Sequence, residues 1–394
     1  MPVDYQDIKQ QIQQVASQSG QQQQAIRDRL VTARGLLAQY ASELDFLRQR
    51  VEAAARQFGL RVACPLREPL DFAADPPGQH ARPVVLAADG SQVNPSRHDE
   101  VLFGLINVGL FRMAPGEPPA EAVAGHLFSD DELYPAQGGL ISEDLVALKR
   151  DLKERTFLLQ KAGLEQGPVL ALVDGPLLYR KPRDVSGAHA DQEVEKAFGE
   201  FLAVTEEMAA RRIAMAGYVD RPGADLLVRL LELADVPPAE LAQADRHRPL
   251  RRVSDAALLS GVLGPGQRSA VFALESSDAR VFSEHTRPHF FYLNVGAGKP
   301  YLARVEIPAW VANDPDVTGA IHAVLLEQCR VLGRRAYPYA LLRAHEIAVV
   351  SYEEKRQIAE MIAHELSKYG VVPEGPSNKQ GGKEALTGRS KYNG

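Results

Sequence analysis

Val84-Val85-Leu86-Ala87-Ala88-Asp89-Gly90-Ser91 and Val169-Leu170-Ala171-Leu172-Val173-Asp174-Gly175-Pro176 are two short apolar runs that each end on an aspartate followed by glycine. Runs of this length, rich in Val and Leu and closed by Gly or Pro, predict buried strands that end at Asp89 and at Asp174. If the two strands are neighbours, their carboxylates form a pair at the edge of a sheet. Such a pair is costly unless a cation neutralises it, and hard oxygen ligands favour Mg²⁺ or Mn²⁺. The two runs therefore predict a divalent-metal site suited to phosphodiester chemistry.

The dipeptide Asp-Gly is also common in turns, which gives a simpler explanation of both runs. In a turn the aspartate bonds to its own backbone, and the glycine supplies a positive φ. Taken alone, each segment fits a turn better than a metal ligand. The repetition of the pattern and the C-terminal segment described below favour the metal site.

The composition predicts a soluble globular protein rather than a membrane or secreted one. The chain has 394 residues and 45% hydrophobic content, enough for one large domain or two modest ones. Its formal net charge of −6 gives no overall attraction to nucleic acid, so DNA binding would need a local basic surface or a partner. Cys64 and Cys329 are too few for a disulfide framework or a zinc cluster. With neither a signal-peptide pattern nor a bilayer-length apolar run, we expect a cytoplasmic location and no membrane association.

Four regions differ in composition. Residues 1–60 are rich in Gln, and apolar side chains four and three positions apart over 26–51 predict either a coiled coil or a long helix packed on its own domain. Prolines within 61–83 predict a linker. Alternating strand and helix patterns over 84–370 predict an α/β domain with a mixed sheet flanked by helices. The polar, Gly-rich residues 371–394 predict a disordered tail.

Several elements inside the 84–370 region carry clear signals. A helix is expected over 142–162, and a strand over 101–111 is weakened by Asn107 and Gly109. Two paired strands are expected at 289–295 and 301–307. The last helix has a capping box of Ser351 with Glu354 and ends at Gly370.

Two well-known catalytic patterns are incomplete in this sequence. Residues 296–299, Gly-Ala-Gly-Lys, resemble the end of a phosphate-binding loop but lack its first glycine and its Ser or Thr. The His-Glu pairs at 345–346 and 364–365 begin a zinc-protease pattern but lack its second histidine. The sequence therefore excludes a Walker loop and zincin chemistry.

A C-terminal segment adds the groups that a phosphodiesterase uses. Residues 337–346, Tyr-Pro-Tyr-Ala-Leu-Leu-Arg-Ala-His-Glu, hold a phenol, an arginine and an imidazole, which suit substrate positioning and leaving-group protonation. A lone histidine near an apolar run is more often a hydrogen-bonded core residue. The segment alone leaves both alternatives open.

Taken together with the two aspartate runs, this segment resembles the NurA nuclease family, whose members share an RNase H-like fold. The resemblance spans about residues 84–369 and depends on the order of short motifs: Asp-Gly-Ser at 89–91, Asp-Gly at 174–175, Val-Ser-Asp at 253–255, Gly-Gln-Arg-Ser at 266–269 and the Tyr-Pro-Tyr to Ala-His-Glu tail. It implies metal ligands at Asp89 and Asp174, a metal-site or acid/base histidine at His345, and an active-site aromatic at Tyr337.

The family pattern also implies an acidic ligand on the helix before the second aspartate run. Its Arg-x-x-x-Glu pattern is matched best by Arg150 and Glu154, with Glu143 and Asp151 as fallbacks. Glu154 lies opposite the main leucine stripe, which by itself indicates a solvated face. Since Phe157 and the following leucine also lie away from that stripe, we expect the helix to be covered on two sides.

Three arginines are expected to contact DNA: Arg150, Arg221 and Arg343. Arg221 follows a predicted strand near the point where the family pattern has a lysine, and here Val219 and Asp220 precede it. Arg221 would supply the positive charge instead.

The resemblance implies a Mn²⁺- or Mg²⁺-dependent DNA nuclease that trims ends from 5′ to 3′, with single-strand endonuclease activity as a further option. It also implies a homodimer that works with a hexameric HerA-type translocase in the end resection of double-strand breaks. One alternative is a catalytically silent RNase H-like adaptor that docks DNA or a motor. Another is an actin-like nucleotide-binding fold, which the lack of a Gly-rich phosphate loop disfavours.

Overall fold

The computed structural model describes residues 4–80, 82–99, 101–135, 139–179, 188–333 and 335–371. Its helices are α1 Tyr5–Tyr40, α2 Leu44–Ala55, α3 Asp130–Leu133, α4 Glu143–Ala162, α5 Ala188–Ala210, α6 Leu226–Asp235, α7 Asp255–Leu259, α8 Ala309–Ala312, α9 Pro315–Val331, α10 Tyr339–Ala348 and α11 Tyr352–Lys368. Its strands are β1 Arg61–Pro65, β2 Ala73–Ala74, β3 Val84–Val93, β4 Leu105–Met113, β5 Ala120–Leu127, β6 Val169–Asp174, β7 Ala214–Val219, β8 Arg268–Ser269, β9 Phe272–Ser276, β10 Pro288–Asn294 and β11 Leu302–Pro308. The predicted α/β class is confirmed.

The chain divides into two compact units. The first comprises Met1–Ala81, Gly175–Tyr179 and Ala216–Pro338, and the second comprises Arg82–Asp174, Arg180–Met215 and Tyr339–Gly394. The predicted tail lies outside the described residues from 372 onward.

In the first unit, antiparallel strands run in the order β1, β9, β10, β11, β7, and the short β2 pairs with β8. The β10–β11 pair matches the two paired strands predicted from sequence. Strand β1 lies within residues 61–83, where the sequence predicted a linker. Val62 and Ala63 are fully buried there, so this part of the region belongs to the sheet. The prolines mark its irregular remainder.

The N-terminal heptad pattern is divided between two helices. In α1 and α2 the buried apolar residues include Ala33, Leu37, Leu47 and Val51, and both helices pack against α6. For this part of the pattern the structure shows a helix packed on its own domain. The first turns of α1 differ, since their apolar side chains are exposed: Tyr5, Ile8, Ile12 and Val15.

A buried polar cluster stabilises the first unit. Glu306 on β11 accepts hydrogen bonds from Arg304 Nε at 3.0 Å and Nη2 at 2.8 Å through one carboxylate oxygen. Its other oxygen accepts from the backbone N–H of Leu177 at 2.9 Å, just beyond strand β6. Because buried charges are tolerated only when paired and hydrogen-bonded, this cluster fixes the segment that follows Asp174.

The two central motifs of the family pattern serve the fold of this unit. Asp255 is fully buried and accepts hydrogen bonds from the first N–H groups of α6 and from the Tyr292 hydroxyl at 2.7 Å. Burial, opposed by these bonds, raises the pKa of Asp255 to about 6. Gly266 has a φ of +82°, and its carbonyl accepts from His322 Nε2 at 2.7 Å. Both motifs therefore tie loops to the core.

In the second unit, β6, β3, β4 and β5 form consecutive neighbours. β3 and β6 are parallel, whereas β4 is antiparallel to both β3 and β5. Helix α4 packs on β3 and against α5, and α10 packs on β3 and β4. Helices α4 and α10 carry two of the candidate site residues, Glu154 and His345.

Two helix predictions for this unit are confirmed. Helix α4 begins after Ser142, whose Oγ accepts from the Leu145 N–H at 3.2 Å. Helix α11 has the predicted capping box between Ser351 and Glu354, and Gly370 follows it with a φ of +73°. In the described part of the chain, no helix has the length and apolarity needed to cross a membrane.

Candidate active site

Asp89 lies in the middle of strand β3, not at its end as predicted. The parallel pairing with β6 stops at Ala88 opposite Val173, while the antiparallel pairing with β4 continues to Val93. The strand extends because β4 supplies a partner for every residue beyond Asp89. The turn interpretation of this Asp-Gly is therefore wrong. Asp89 Oδ1 accepts from the Gly90 N–H at 2.9 Å.

Asp174 is the last residue of β6, where the sequence placed a strand end. Val173 is in register with Ala88 on the parallel strand β3. Asp174 directly follows Val173 and Asp89 directly follows Ala88, so the two aspartates lie side by side along the neighbouring strands. The juxtaposition expected from the two apolar runs is present in the backbone. The Asp174 side chain is exposed, and Gly175 after it has a φ of +91°, which suits glycine.

His345 reaches Asp89 from helix α10. Its Nδ1 lies 2.7 Å from Asp89 Oδ2. Since the carboxylate accepts, Nδ1 carries the proton, and Nε2 keeps a lone pair that can take a proton or bind a metal. The imidazole is 62% exposed, so it is not a buried core histidine. The sequence could not place this helix, and the structure brings the two residues together across 256 positions.

Glu154 is buried on the side of α4 that faces β3, with 7% of its surface exposed. The expectation that α4 is covered on two sides is met, because Phe157 and Leu158 are buried as well. A Cβ on Gly90 would lie 2.6 Å from Glu154 Oε1 and 2.7 Å from Arg150 Cγ. Gly90 has no positive φ, so its glycine is required here for space and not for a turn.

Burial and neighbouring carboxylates disfavour the charged form of Glu154. Burial and then the negative charge of Asp151 raise the pKa of Glu154 to about 8, although Arg150 opposes the shift. Arg150 donates to Asp151 Oδ1 at 2.9 Å, and its Nε lies 3.5 Å from Glu154 Oε1. Burial disfavours its charge, but the neighbouring carboxylates, first that of Asp151, raise the pKa of Arg150 above its ordinary value. Gln92, which sequence reasoning missed, accepts from Arg150 Nη1 at 3.2 Å.

Replacing Gly90 with alanine is expected to lower the free energy of unfolding by about 1–3 kcal/mol, the usual cost of overpacking. The added Cβ would push against the Glu154 carboxyl and the Arg150 stem. Urea denaturation checks this, with Gly125→Ala on β5 as the control, since a Cβ there meets nothing within 4 Å. Equal stability of the two variants would show that the space above Gly90 is not filled.

The other predicted residues have different surroundings. Glu143 is exposed at the first turn of α4. Arg343 bonds Glu121 Oε1 at 2.8 Å and also pairs with Glu346, so acidic partners occupy its guanidinium. Tyr337 belongs to the first unit, where its ring packs edge-on against Tyr218 at 5.5 Å.

Arg221, also in the first unit, is held in a small polar group. Its Nε donates to the Tyr301 hydroxyl at 3.1 Å, and that hydroxyl donates to Asp220 at 2.8 Å. Its φ of +45° is unusual for a residue other than glycine. Asp220, which stood outside the expected family pattern, thus reduces the positive charge available at this point.

The candidate site residues of the second unit are of the chemical types that bind a hard divalent cation. Asp89, Asp151 and Glu154 offer carboxylate oxygens, and His345 offers an imidazole nitrogen, which are ligands that Mn²⁺ and Mg²⁺ accept. Burial, and then the charge of Asp151, raises the pKa of Glu154 despite the neighbouring Arg150. Within the described residues, no three His, Cys, Asp or Glu side chains form a complete metal-binding set. Metal ligation by Asp89, Glu154, Asp174 and His345 stays a prediction.

The family model and one solved structure identify the same family. The model of the NurA domain matches residues 83–350. No curated protein sequence matches the chain. The crystal structure of the NurA nuclease from Sulfolobus solfataricus is similar over 84% of this chain and 94% of that chain, with a TM-score of 0.50 and 12% sequence identity. This likeness confirms the predicted fold.

A weaker structural likeness links the chain to endonuclease V. The Ciona intestinalis enzyme, crystallised with DNA that contains an inosine, aligns with 81% of this chain and 97% of that chain at a TM-score of 0.31 and 10% identity. The human endonuclease V catalytic domain aligns with 81% and 97% of the two chains at a TM-score of 0.31 and 11% identity.

Proposed function

The chain belongs to the NurA family, and we propose that it is a Mn²⁺- or Mg²⁺-dependent nuclease that cleaves DNA. The observation that carries the proposal is the group of acidic residues in the second unit. Asp89 is hydrogen-bonded to His345 at 2.7 Å, and the buried Glu154 lies against Gly90, the next residue of the strand. Carboxylates and an imidazole are groups that phosphodiester hydrolysis can use, and the family supports a nuclease.

In this proposal Asp89, Glu154 and Asp174 hold the cation, with His345 as a fourth ligand or as the acid/base. A bound divalent ion would activate water and stabilise the leaving oxygen. Asp89 fixes the His345 ring through Nδ1, which points Nε2 to proton transfer or ligation. Arg150 neutralises part of the acidic charge and contacts DNA phosphate.

Cleavage of end-labelled single- and double-stranded DNA tests this function. We expect cleavage with Mn²⁺ or Mg²⁺ and none with EDTA. Because the DNA strand should be shortened from its 5′ end, a strand labelled at its 3′ end should give a ladder of progressively shorter labelled products. Equal cleavage in EDTA would contradict metal dependence. Loss of the 3′ label before any shortening from the 5′ end would contradict the proposed polarity.

Replacing His345 with alanine is expected to reduce the rate of cleavage by about 10²-fold, the usual contribution of an acid/base residue. Because the imidazole is mostly exposed, thermal stability should stay near that of the wild type. Single-turnover cleavage and a thermal melt of the same preparation check both statements. Unchanged cleavage would remove His345 from the mechanism.

A catalytically silent adaptor is the second candidate. The position of Arg150 favours this candidate. Its guanidinium already acts as a counterion to Asp151 and Glu154, and this positive charge can neutralise the carboxylates in place of a metal ion. The adaptor would bind DNA in EDTA as well as in Mn²⁺ and would not cleave it. The end-labelled assay therefore separates the two functions.

We propose that DNA affinity comes from assembly, since the chain carries a net charge of −6 and phosphate contacts require clustered cations. Arg246, Arg251 and Arg252 are exposed in the first unit, whereas Arg248 is bound by Asp225 and Glu232. A second arginine group comprises Arg334, Arg335 and Arg343, of which Arg334 lies outside the described residues.

We expect a homodimer that binds DNA weakly by itself and degrades it faster with a hexameric HerA-type translocase, in the resection of double-strand breaks. Light scattering at micromolar concentration and nuclease assays with and without the translocase check this prediction. A monomer that is fully active and gains nothing from the translocase would contradict it.

We also propose a cytoplasmic location, since the chain has only two cysteines and both Cys64 and Cys329 are free thiols, as is usual in a reducing compartment.

A further inference from the structure

Strand β4 carries two residues that weaken a strand, Asn107 and Gly109. In the β3–β4 register, Asn107 stands opposite Ser91, and Gly109 stands opposite Asp89. Positions two apart on a strand share a face, so these four residues form one patch on the sheet. Helix α10 packs on both strands.

Gly109 allows α10 to approach the sheet closely. A Cβ at this position would lie 2.6 Å from the Ala344 carbonyl oxygen, 2.6 Å from the Ala348 nitrogen and 2.8 Å from Ile347 Cβ. Two of these three contacts are to helix backbone, which cannot move aside as a flexible side chain would. Ala344 and Ala348 are themselves fully buried. The contact is therefore made by the smallest residues on both sides.

Ser91 and Asn107 fix the last turn of α10. Ser91 Oγ donates to the Ala348 carbonyl at 2.5 Å, and Asn107 Nδ2 donates to the same oxygen at 2.9 Å. The last carbonyls of a helix have no partner within the helix, so side-chain donors satisfy them. At the first turn, Tyr339 packs edge-on against Phe111 of β4, with ring centroids 5.8 Å apart. The helix is thus held at both ends.

His345 lies one turn before Ala348, and its own side chain is mostly exposed. Little packing orients the imidazole, so its place beside Asp89 is set by the placement of the helix. We propose that Ser91, Asn107 and Gly109 form a seat for α10 that positions His345 on Asp89. The seat residues are positioning residues and do not touch the substrate. Their effect on the rate of cleavage rests on the proposed function.

The first half of the test measures whether the seat holds the helix, without any use of activity. Hydrogen exchange of the α10 amides should accelerate by at least about 10-fold in Gly109→Ala and in the milder Asn107→Leu, since local opening becomes easier. Gly125→Ala is the matched control, because Gly125 pairs with Asn107 on β5 and its Cβ would meet nothing within 4 Å. Unchanged α10 exchange in both seat variants would overturn the proposal.

The second half measures whether the seat acts through His345. Asn107→Leu should lower kcat by about 10-fold with little change in KM, as expected when a catalytic group is displaced by a fraction of an ångström. In a His345→Ala background the same substitution should lower kcat no further. An equal loss in both backgrounds, or no loss in the wild-type background, would overturn the positioning role.

The two halves separate failure of the seat from failure of the proposed function. If the wild-type protein cleaves no DNA, the nuclease proposal fails, and the exchange experiment still decides whether the seat holds α10. If the wild type cleaves DNA and α10 exchange stays unchanged, the seat fails alone. If Gly109→Ala does not fold, Asn107→Leu and Ser91→Ala carry the test.

Discussion

Replacing Asp89 with asparagine, or Glu154 with glutamine, is expected to abolish metal-dependent cleavage. The rate of cleavage should fall by about 10³-fold or more, because a bound metal stabilises the transition state by several kcal/mol. Asp89→Asn and Glu154→Gln keep the size of each side chain and remove its charge. The fold should survive, since Glu154 is buried against its own electrostatic preference. Asp174→Asn is expected to act in the same direction.

Single-turnover cleavage in Mn²⁺ measures this effect, with circular dichroism to confirm folding. Asp131→Asn is a suitable control, because Asp131 is an exposed carboxylate of the same unit on α3. Near-normal rates in folded Asp89→Asn and Glu154→Gln would remove the acidic cluster from the mechanism.

Replacing Glu306 with alanine is expected to lower the free energy of unfolding by about 3–5 kcal/mol, the cost of leaving one partner of a buried ion pair uncompensated. The Arg304 and Glu306 side chains are 6% and 1% exposed. The substitution also leaves the N–H of Leu177 without its acceptor. Glu306→Gln keeps an acceptor and should cost less.

Urea denaturation of the whole chain measures the change. Glu275→Ala provides the comparison in the same unit, since Glu275 pairs with Arg280 at the surface with side chains 18% and 52% exposed. Surface pairs contribute about 0–1 kcal/mol. A similar, small loss for both variants would contradict the role assigned to the Glu306 cluster.

The sequence predicted the parts of the fold and site that depend on local pattern. The two apolar runs correctly predicted buried strands, because burial on both faces leaves a continuous run of Val and Leu. The caps of α4 and α11 were predicted from Ser142 and Ser351. Glu154 was found through the resemblance and through the apolar residues on the second side of α4.

The remaining features depend on contacts between distant segments, which no local pattern contains. Asp89 continues a strand because β4 pairs with it, so its Asp-Gly could not be distinguished from a turn. In the sequence, Gly90 indicates a turn and Gly109 indicates a weakened strand. In the structure, Gly90 makes room for side chains of α4, and Gly109 makes room for α10. The local pattern predicts a linker where β1 lies, because the strand's partner β9 is some 200 residues away in the sequence. The Glu306 cluster likewise joins segments 129 residues apart.

Titration calorimetry of Mn²⁺ into the wild-type protein is the most direct test of a metal site, because it measures cation binding at the acidic cluster without reference to DNA. We predict binding by the wild type that is lost or weakened by about 10-fold or more in Asp89→Asn and Glu154→Gln, since each substitution removes a carboxylate ligand. Binding of equal affinity in the wild type and both variants, or no binding by the wild type, would contradict it.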